Sequence, residues 1–214
     1  IVESGEMGRI LWMRGRYGKE VDESFLKGWR ADKELSGGGI MLDQGIHMVD
    51  LMRLFAGEFT DVHSFVSNSH WNYDVEDNAY AIMRTSNGVV AMLNSSATQW
   101  RHQFSLDINM QKGSIILRGI LSGSKSYGSE TMTTVFANPD RDNGDPKELT
   151  QEYSFDPSWT AEIDAFADVV RNNLPIDSGT SHDALMTMQL VHKIYYADPK
   201  WRDTYSIPNP DFTN

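Results

Sequence analysis

Residues 37–55, GGGIMLDQGIHMVDLMRLF, constrain the chain more than any other stretch. Wound at about 100° per residue, Met41, Leu42, Ile46, Met48, Val49, Met52 and Phe55 cover nearly every direction around the axis. A surface helix normally divides into an apolar and a polar half. A helix that is greasy almost all round belongs in an interior. The spacing therefore predicts a buried helix from about Ser36 or Gly39 to Phe55, stopped by Gly57. Asp43, His47 and Asp50 recur at i, i+4 and i+7 and make one narrow polar stripe along it. Ionisable groups in such a place are unfavourable unless they are paired or used.

The segments around this helix read mostly as strands. Residues 8–17 are rich in apolar and aromatic side chains, and residues 18–39 form a long, polar, glycine-containing connection of the kind that is often functional. Strand character recurs at 60–67, 78–85, 89–97, 104–110, 114–118, 131–136 and 152–155, with a polar turn region at 138–147. Asn87-Gly88 between two such runs is a strong hairpin signal. Gln111-Lys112-Gly113 marks a second hairpin. Two helices close the chain. One opens on Asp156-Pro157 and repeats Ile163, Phe166, Ala167 and Val170 on one face. The other opens on Thr180 with Asp183, buries Leu185, Met188, Val191, Ile194 and Tyr195, and ends before Pro199. Consecutive strands with grouped helices predict an α+β fold: one large, open, mainly antiparallel sheet with helices packed on one face. The other face, to which Ala81, Met83, Ala91 and Leu93 are assigned, is then apolar and is expected to be covered by self-association into a dimer or tetramer.

Composition removes several classes of function. A net charge of −11 argues against nucleic acid or an anionic membrane surface as partner. No apolar run has the length of a membrane span, and residues 1–214 show no basic segment followed by an apolar stretch, so no secretory leader is expected. The absence of cysteine excludes disulfides, thiolate nucleophiles and cysteine-ligated metals, and fits a reducing, cytoplasmic compartment. Two acids and one imidazole are a sparse ligand set, so no metal site is expected from the stripe. The chain opens on Ile1-Val2-Glu3-Ser4-Gly5, which reads like the last turn of a helix, so a piece of a longer protein is expected.

Gly37-Gly38-Gly39, then Leu42-Asp43-Gln44-Gly45-Ile46-His47, Asp50-Leu51 and Gly57 resemble the signature of the C-terminal substrate and oligomerisation domain of the Gfo/Idh/MocA oxidoreductases. The opening Ser4-Gly5-Glu6-Met7-Gly8-Arg9-Ile10, Trp29-Arg30 and the tail from Phe166 to Tyr196 are similar to that family as well, so the resemblance spans essentially the whole chain. It implies that residues 1–214 are a single α+β domain whose partner, an N-terminal Rossmann domain binding NAD or NADP, is absent from this chain. No G-x-G-x-x-G follows a strand here. The family's lysine, carried at the end of that other domain, is missing with it, and the isolated chain is expected to be inactive.

Under the resemblance, the full-length parent oxidises a secondary alcohol or reduces a ketone of a sugar, cyclitol or sugar derivative, nucleotide-linked ones included. Such a reaction needs a hydride acceptor and a group that moves the hydroxyl proton. Histidine suits the second task near neutral pH. His47 and Asp43 are the catalytic candidates, with the formal base left open between His47 and the absent lysine. Asp50, Arg14, Tyr17, Trp100 and Arg101, with His102 beside them, are candidate substrate contacts, and Trp29 and Arg30 candidate cofactor contacts. Gly37, Gly38 and Gly39 either offer amides to a phosphate or merely open the helix. The plainer alternative for the stripe is that Asp43 and Asp50 pair with neighbours such as Arg53. The alternative for the whole chain is a non-catalytic carbohydrate-binding or dimerisation module derived from that family.

Overall fold

The computed structural model describes residues 1–122, 124–141 and 143–210. Among them, eight strands form one sheet: β1 (Ile10–Glu20), β2 (Phe59–Ser67), β3 (Asn78–Thr85), β4 (Val90–Ser96), β5 (Thr98–Met110), β6 (Gly113–Arg118), β7 (Glu130–Phe136) and β8 (Lys147–Tyr153). Their order across the sheet is β2-β3-β4-β1-β5-β6-β7-β8. Every neighbouring pair is antiparallel except β1 and β4, which run parallel. The first strand therefore sits in the middle, and the chain leaves it through the long connection before returning at the edge as β2.

That connection is not featureless. It holds a helical turn α1 (Glu23–Leu26), a 3-10 turn at Trp29–Ala31 and a second helical turn α2 (Lys33–Ser36). Asp22 and Asp32 cap the two helical turns with their side chains. A π turn, Met41–Gly45, then runs directly into α3 (Ile46–Ala56), which Gly57 ends at φ +78. After the sheet come α4 (Ser158–Asn172), α5 (Ser181–Ala197) and α6 (Pro199–Tyr205). Pro199 ends α5 and also opens α6.

The core lies between the sheet and the pair α3 and α5. Met13, Met41, Met48, Val49, Met52, Met83, Leu106, Ile108, Val191 and Ile194 have no exposed surface. Each such side chain contributes roughly 1.5–3 kcal/mol of transfer free energy. Strand alternation puts Met13, Gly15, Tyr17 and Lys19 of β1 on this helix face. A Cβ on Gly15 would lie 2.5 Å from Met48 Sδ and from Met52 Cε, so glycine there lets α3 settle onto β1. The α5 helix is held over β2 by the Ser64 hydroxyl, which donates to the Ile194 carbonyl at 2.5 Å.

Several expectations need correction: β8 spans Lys147–Tyr153 rather than 152–155, and Leu185, assigned to the buried face of α5, is exposed. The sheet faces are exchanged: Ala81, Met83, Ala91 and Leu93 point into the core, and Tyr80, Ile82 and Met92 are the exposed apolar residues. β1 runs to Glu20 and β5 starts at Thr98, because the polar ends of these strands pair with each other through irregular register rather than through an apolar pattern. α3 is packed on one side only, and His47, Asp50 and Leu54 are exposed. Finally, α4 does not lie on the sheet. Its apolar face is open, with Trp159 75%, Ile163 62%, Phe166 64% and Val170 65% exposed.

The loop before β3 is organised by Asp77, which is fully buried. Its carboxylate accepts from the amides of Ser69, His70 and Trp71 and from the Asn78 side chain. Burial pushes this carboxyl up, but the four donors outweigh it and hold it below its ordinary value. Its contribution to stability is then present above the ordinary carboxylate range and is lost as pH falls through the lowered value. Asp77→Ala should lower stability by about 1–3 kcal/mol in urea titrations at neutral pH, with the deficit shrinking in acid. An unchanged midpoint would contradict this.

Candidate active site

The site is assembled where the C-terminal end of β1 meets the π turn. Lys19 follows Tyr17 on the helix face of β1, and its ammonium donates to Asp43 Oδ2 at 2.6 Å. Arg30, from the 3-10 turn, donates to Asp43 Oδ1 at 3.2 Å. One half-buried carboxylate thus gathers two cations from different segments. The Arg30 guanidinium also stacks on the Trp29 ring at 4.5 Å. Lys19, Phe25, Trp29, Arg30 and His102 line a cavity of about 560 Å³. Asp43 stands behind its wall and orients two of its polar heads.

Aromatic rings join this cavity to the rest of the stripe. Tyr17 lies 6.4 Å from the His47 ring, meets Phe104 edge-on at 5.3 Å, and meets Tyr127 at 5.8 Å. Tyr127 accepts from the Gln44 side chain at 2.8 Å and lies 5.2 Å from His102. Burial, reinforced by Tyr127 and Asp43, pushes the Tyr17 hydroxyl up to about 12. Tyr17 is therefore a neutral hydroxyl at physiological pH, able to donate as well as accept.

His47 opens onto a second cleft of about 650 Å³ between α3 and the start of α5. Asp50 lines it too, but is partly committed: the Thr187 hydroxyl donates to Asp50 at 2.6 Å, and Arg53 donates to Thr187 at 2.6 Å. Arg53 is itself held by Glu58 at 2.5 Å and stands 3.7 Å from Asp50. For Asp50 the plainer alternative, pairing with structural neighbours, describes much of what its carboxylate does.

Three expected substrate contacts are not brought to this cavity. Arg14 falls on the opposite face of the sheet by strand alternation, and Asp107 takes it at 2.7 Å while also pairing with Arg118 at 2.6 Å. Arg101 is exposed and shares that face with Gln103, which accepts from Arg16. Trp100 lies on the helix side but stands apart from the cavity wall, edge-on to His70 at 5.4 Å and Trp71 at 6.3 Å. Trp29 and Arg30 are both at the cavity, as a stacked pair.

Sequence reasoning missed Lys19, which lies past the strand expected over residues 8–17; continuing the alternation two residues beyond Tyr17 places it on the helix face. It also missed Glu76. The amides of Gly39 and Met41 donate to the Glu76 carboxylate at 2.8 and 2.9 Å, and the amide of Ile40 donates to its carbonyl. This argues against the phosphate reading of the three glycines, since the Gly39 amide is taken by Glu76 and the Gly37 amide by the Lys33 carbonyl at 2.8 Å. A Cβ on Gly39 would lie 2.1 Å from the Glu76 carbonyl oxygen. Gly39→Ala should cost at least about 1–3 kcal/mol, read as a lowered melting temperature. A variant as stable as the natural chain would contradict this packing.

With this geometry in view, the comparisons with known proteins become specific. Residues 1–116 match the model of the GFO/IDH/MocA C-terminal domain. The chain belongs to the GFO/IDH/MocA family. The levoglucosan dehydrogenase of Pseudarthrobacter phenanthrenivorans is 26% identical over 144 residues, covering 54% of this chain and 36% of that protein. The 1,5-anhydro-D-fructose reductase of Ensifer adhaerens is 28% identical over 111 residues, covering 50% of this chain and 32% of that protein. A solved structure of levoglucosan dehydrogenase in complex with NADH and levoglucosan superposes with a TM-score of 0.75 at 20% identity, over 94% of this chain and 59% of that one. The match thus takes in about a third of each curated relative. The superposition establishes the fold. Both curated relatives bear the names of sugar-directed oxidoreductases.

Proposed function

We propose that this chain is the substrate-binding and oligomerising part of an NAD(P)-dependent oxidoreductase that acts on a secondary alcohol or ketone of a sugar, cyclitol or sugar derivative. The observation that carries the reading is the gathering of Lys19 and Arg30 by Asp43, with Tyr17 linking that cluster to the exposed imidazole of His47. Polyols are recognised by dense donors and acceptors beside an apolar ring face, and this cavity offers cations, an imidazole and the Trp29 and Phe25 rings.

NAD or NADP would supply the hydride acceptor. The residues present fit contact with its edge rather than its whole length: Trp29 gives an exposed ring and Arg30 a cation beside it. A phosphate-binding glycine loop after a strand is not among these residues, and the amides at the π turn are occupied by Glu76. The bulk of the cofactor therefore belongs to an N-terminal dinucleotide-binding domain, and the chain alone is inactive on this reading. The open apolar face of α4 is a suitable surface for that domain.

In the oxidation direction, His47 takes the hydroxyl proton, and the nicotinamide, when bound, would accept the hydride from the same carbon. Lys19, steadied by Asp43, donates from the neighbouring cavity to a second substrate oxygen rather than to the one at His47. Tyr17 closes the aromatic side and keeps a neutral hydroxyl available. In reduction the same groups return the proton to the new hydroxyl. His47→Ala in the full-length protein should lower kcat by about 10²–10⁴-fold with little change in melting temperature. Unchanged turnover would remove His47 from the mechanism.

The sheet face away from the helices supports self-association. Register sets Ile82 beside Met92 and Phe65 beside Tyr80, and all four are exposed. A patch of this kind marks an interface. Sedimentation at micromolar concentration is expected to give a dimer or tetramer, shifted towards monomer by Ile82→Lys with Met92→Lys. A monomeric natural chain would contradict this.

A further inference from the structure

Glu76 is a buried carboxylate that the proposed reaction does not use. Its side chain is 1% exposed, so it cannot touch a ligand. Gly39 donates its amide to Oε2 at 2.8 Å. Met41 donates its amide to Oε1 at 2.9 Å, and the Tyr195 hydroxyl donates to the same oxygen at 2.8 Å. Ile40, between them, donates its amide to the Glu76 carbonyl at 3.2 Å. Three consecutive amides at a helix entry therefore end on one residue 35 to 37 positions away in sequence.

A local N-cap side chain satisfies such amides more simply, and a carboxylate taken out of water without a cation is unfavourable. Burial indeed pushes the Glu76 carboxyl up, against the hydrogen bonds that pull it down. The next segment of chain gives the arrangement its purpose. Residues 41–45 form a π turn, a rare backbone state that occurs mostly as a single turn within an α-helix and often at functional sites. The Gly39 carbonyl accepts the Asp43 amide at 2.9 Å, so the frame of residue 39 is passed directly to Asp43. Slack at residues 39–41 would therefore move the Asp43 carboxylate relative to Lys19 and Arg30.

We infer that Glu76 is the positioning residue for Asp43: by fixing residues 39–41 it keeps the π turn and aims the Asp43 carboxylate at Lys19 and Arg30. Its catalytic consequence rests on the role proposed for Asp43 in the reaction; the positioning itself does not. Glu76→Gln keeps the size but turns an amide donor towards amide donors. Tyr195→Phe removes one bond to the same carboxylate and is the milder variant if Glu76→Gln fails to fold. Ile115→Val, a buried change on β6, serves as the control for general destabilisation.

The first readouts use this chain alone: hydrogen exchange of amides 39–43 and the carbon-13 chemical shift of the Asp43 carboxylate at neutral pH. Glu76→Gln should speed exchange there by about tenfold or more and move the Asp43 carboxylate signal, with Tyr195→Phe moving both in the same direction and Ile115→Val moving neither. Unmoved signals, or equal movement in the control, would overturn the inference. The second readout is kcat in the full-length oxidoreductase, expected to fall about tenfold in Glu76→Gln and to hold in the control. Shifted Asp43 signals with unchanged kcat would uphold the positioning and overturn the role given to Asp43 in the reaction.

Discussion

The site depends on how closely α3 can lie against β1, the central strand. Gly15 removes the one side chain that would hold the helix off, and the flexible sulfur-containing chains of Met48 and Met52 fill the space it leaves. Because β1 is both central and the first strand, Tyr17 and Lys19 at its end come under the beginning of the same helix. Asp43, on the π turn, stands over Lys19, while His47 lies on α3 and looks into the neighbouring cleft. Helix-on-strand packing thus sets the distances on which any chemistry here relies.

Charge is handled differently on the two faces of the sheet. On the helix face, Asp43 binds Lys19 and Arg30 beside a cavity, leaving two cationic heads with capacity for further acceptors. On the other face, Asp107 binds Arg14 and Arg118 within a field of side chains that includes Met92. Both are one carboxylate between two cations. The first opens into a concave space and the second lies on a flat sheet. That difference in shape, rather than in charge, separates a candidate substrate site from a candidate interface.

Much of this was legible in the sequence. The strand and hairpin pattern follows from alternation and from Asn87-Gly88 and Lys112-Gly113, which act within a few residues. Asp43 and His47 stand out because few acids and imidazoles sit in so apolar a segment. The rest depended on long-range geometry. A uniform 100° winding cannot show a π turn, so the stripe looked continuous when it is divided between two clefts. Glu76 is invisible from local spacing, since its partners lie at residues 39–41 and 195. The exchange of sheet faces was a one-residue slip in parity, which turns every side chain over. The amphipathic pattern of α4 identified the helix but not what its apolar face meets.

The proposed reaction is tested most directly by hydride transfer in a protein that joins this chain to the N-terminal dinucleotide-binding domain proposed for it. That protein should be mixed with NAD or NADP and a panel of sugars, cyclitols and anhydrosugars while the absorbance of the reduced nicotinamide is followed. The account predicts formation of reduced cofactor with at least one polyol, dependent on Asp43 and His47. No reduction with any of them, and no oxidation of the reduced cofactor by the corresponding ketones, would contradict it.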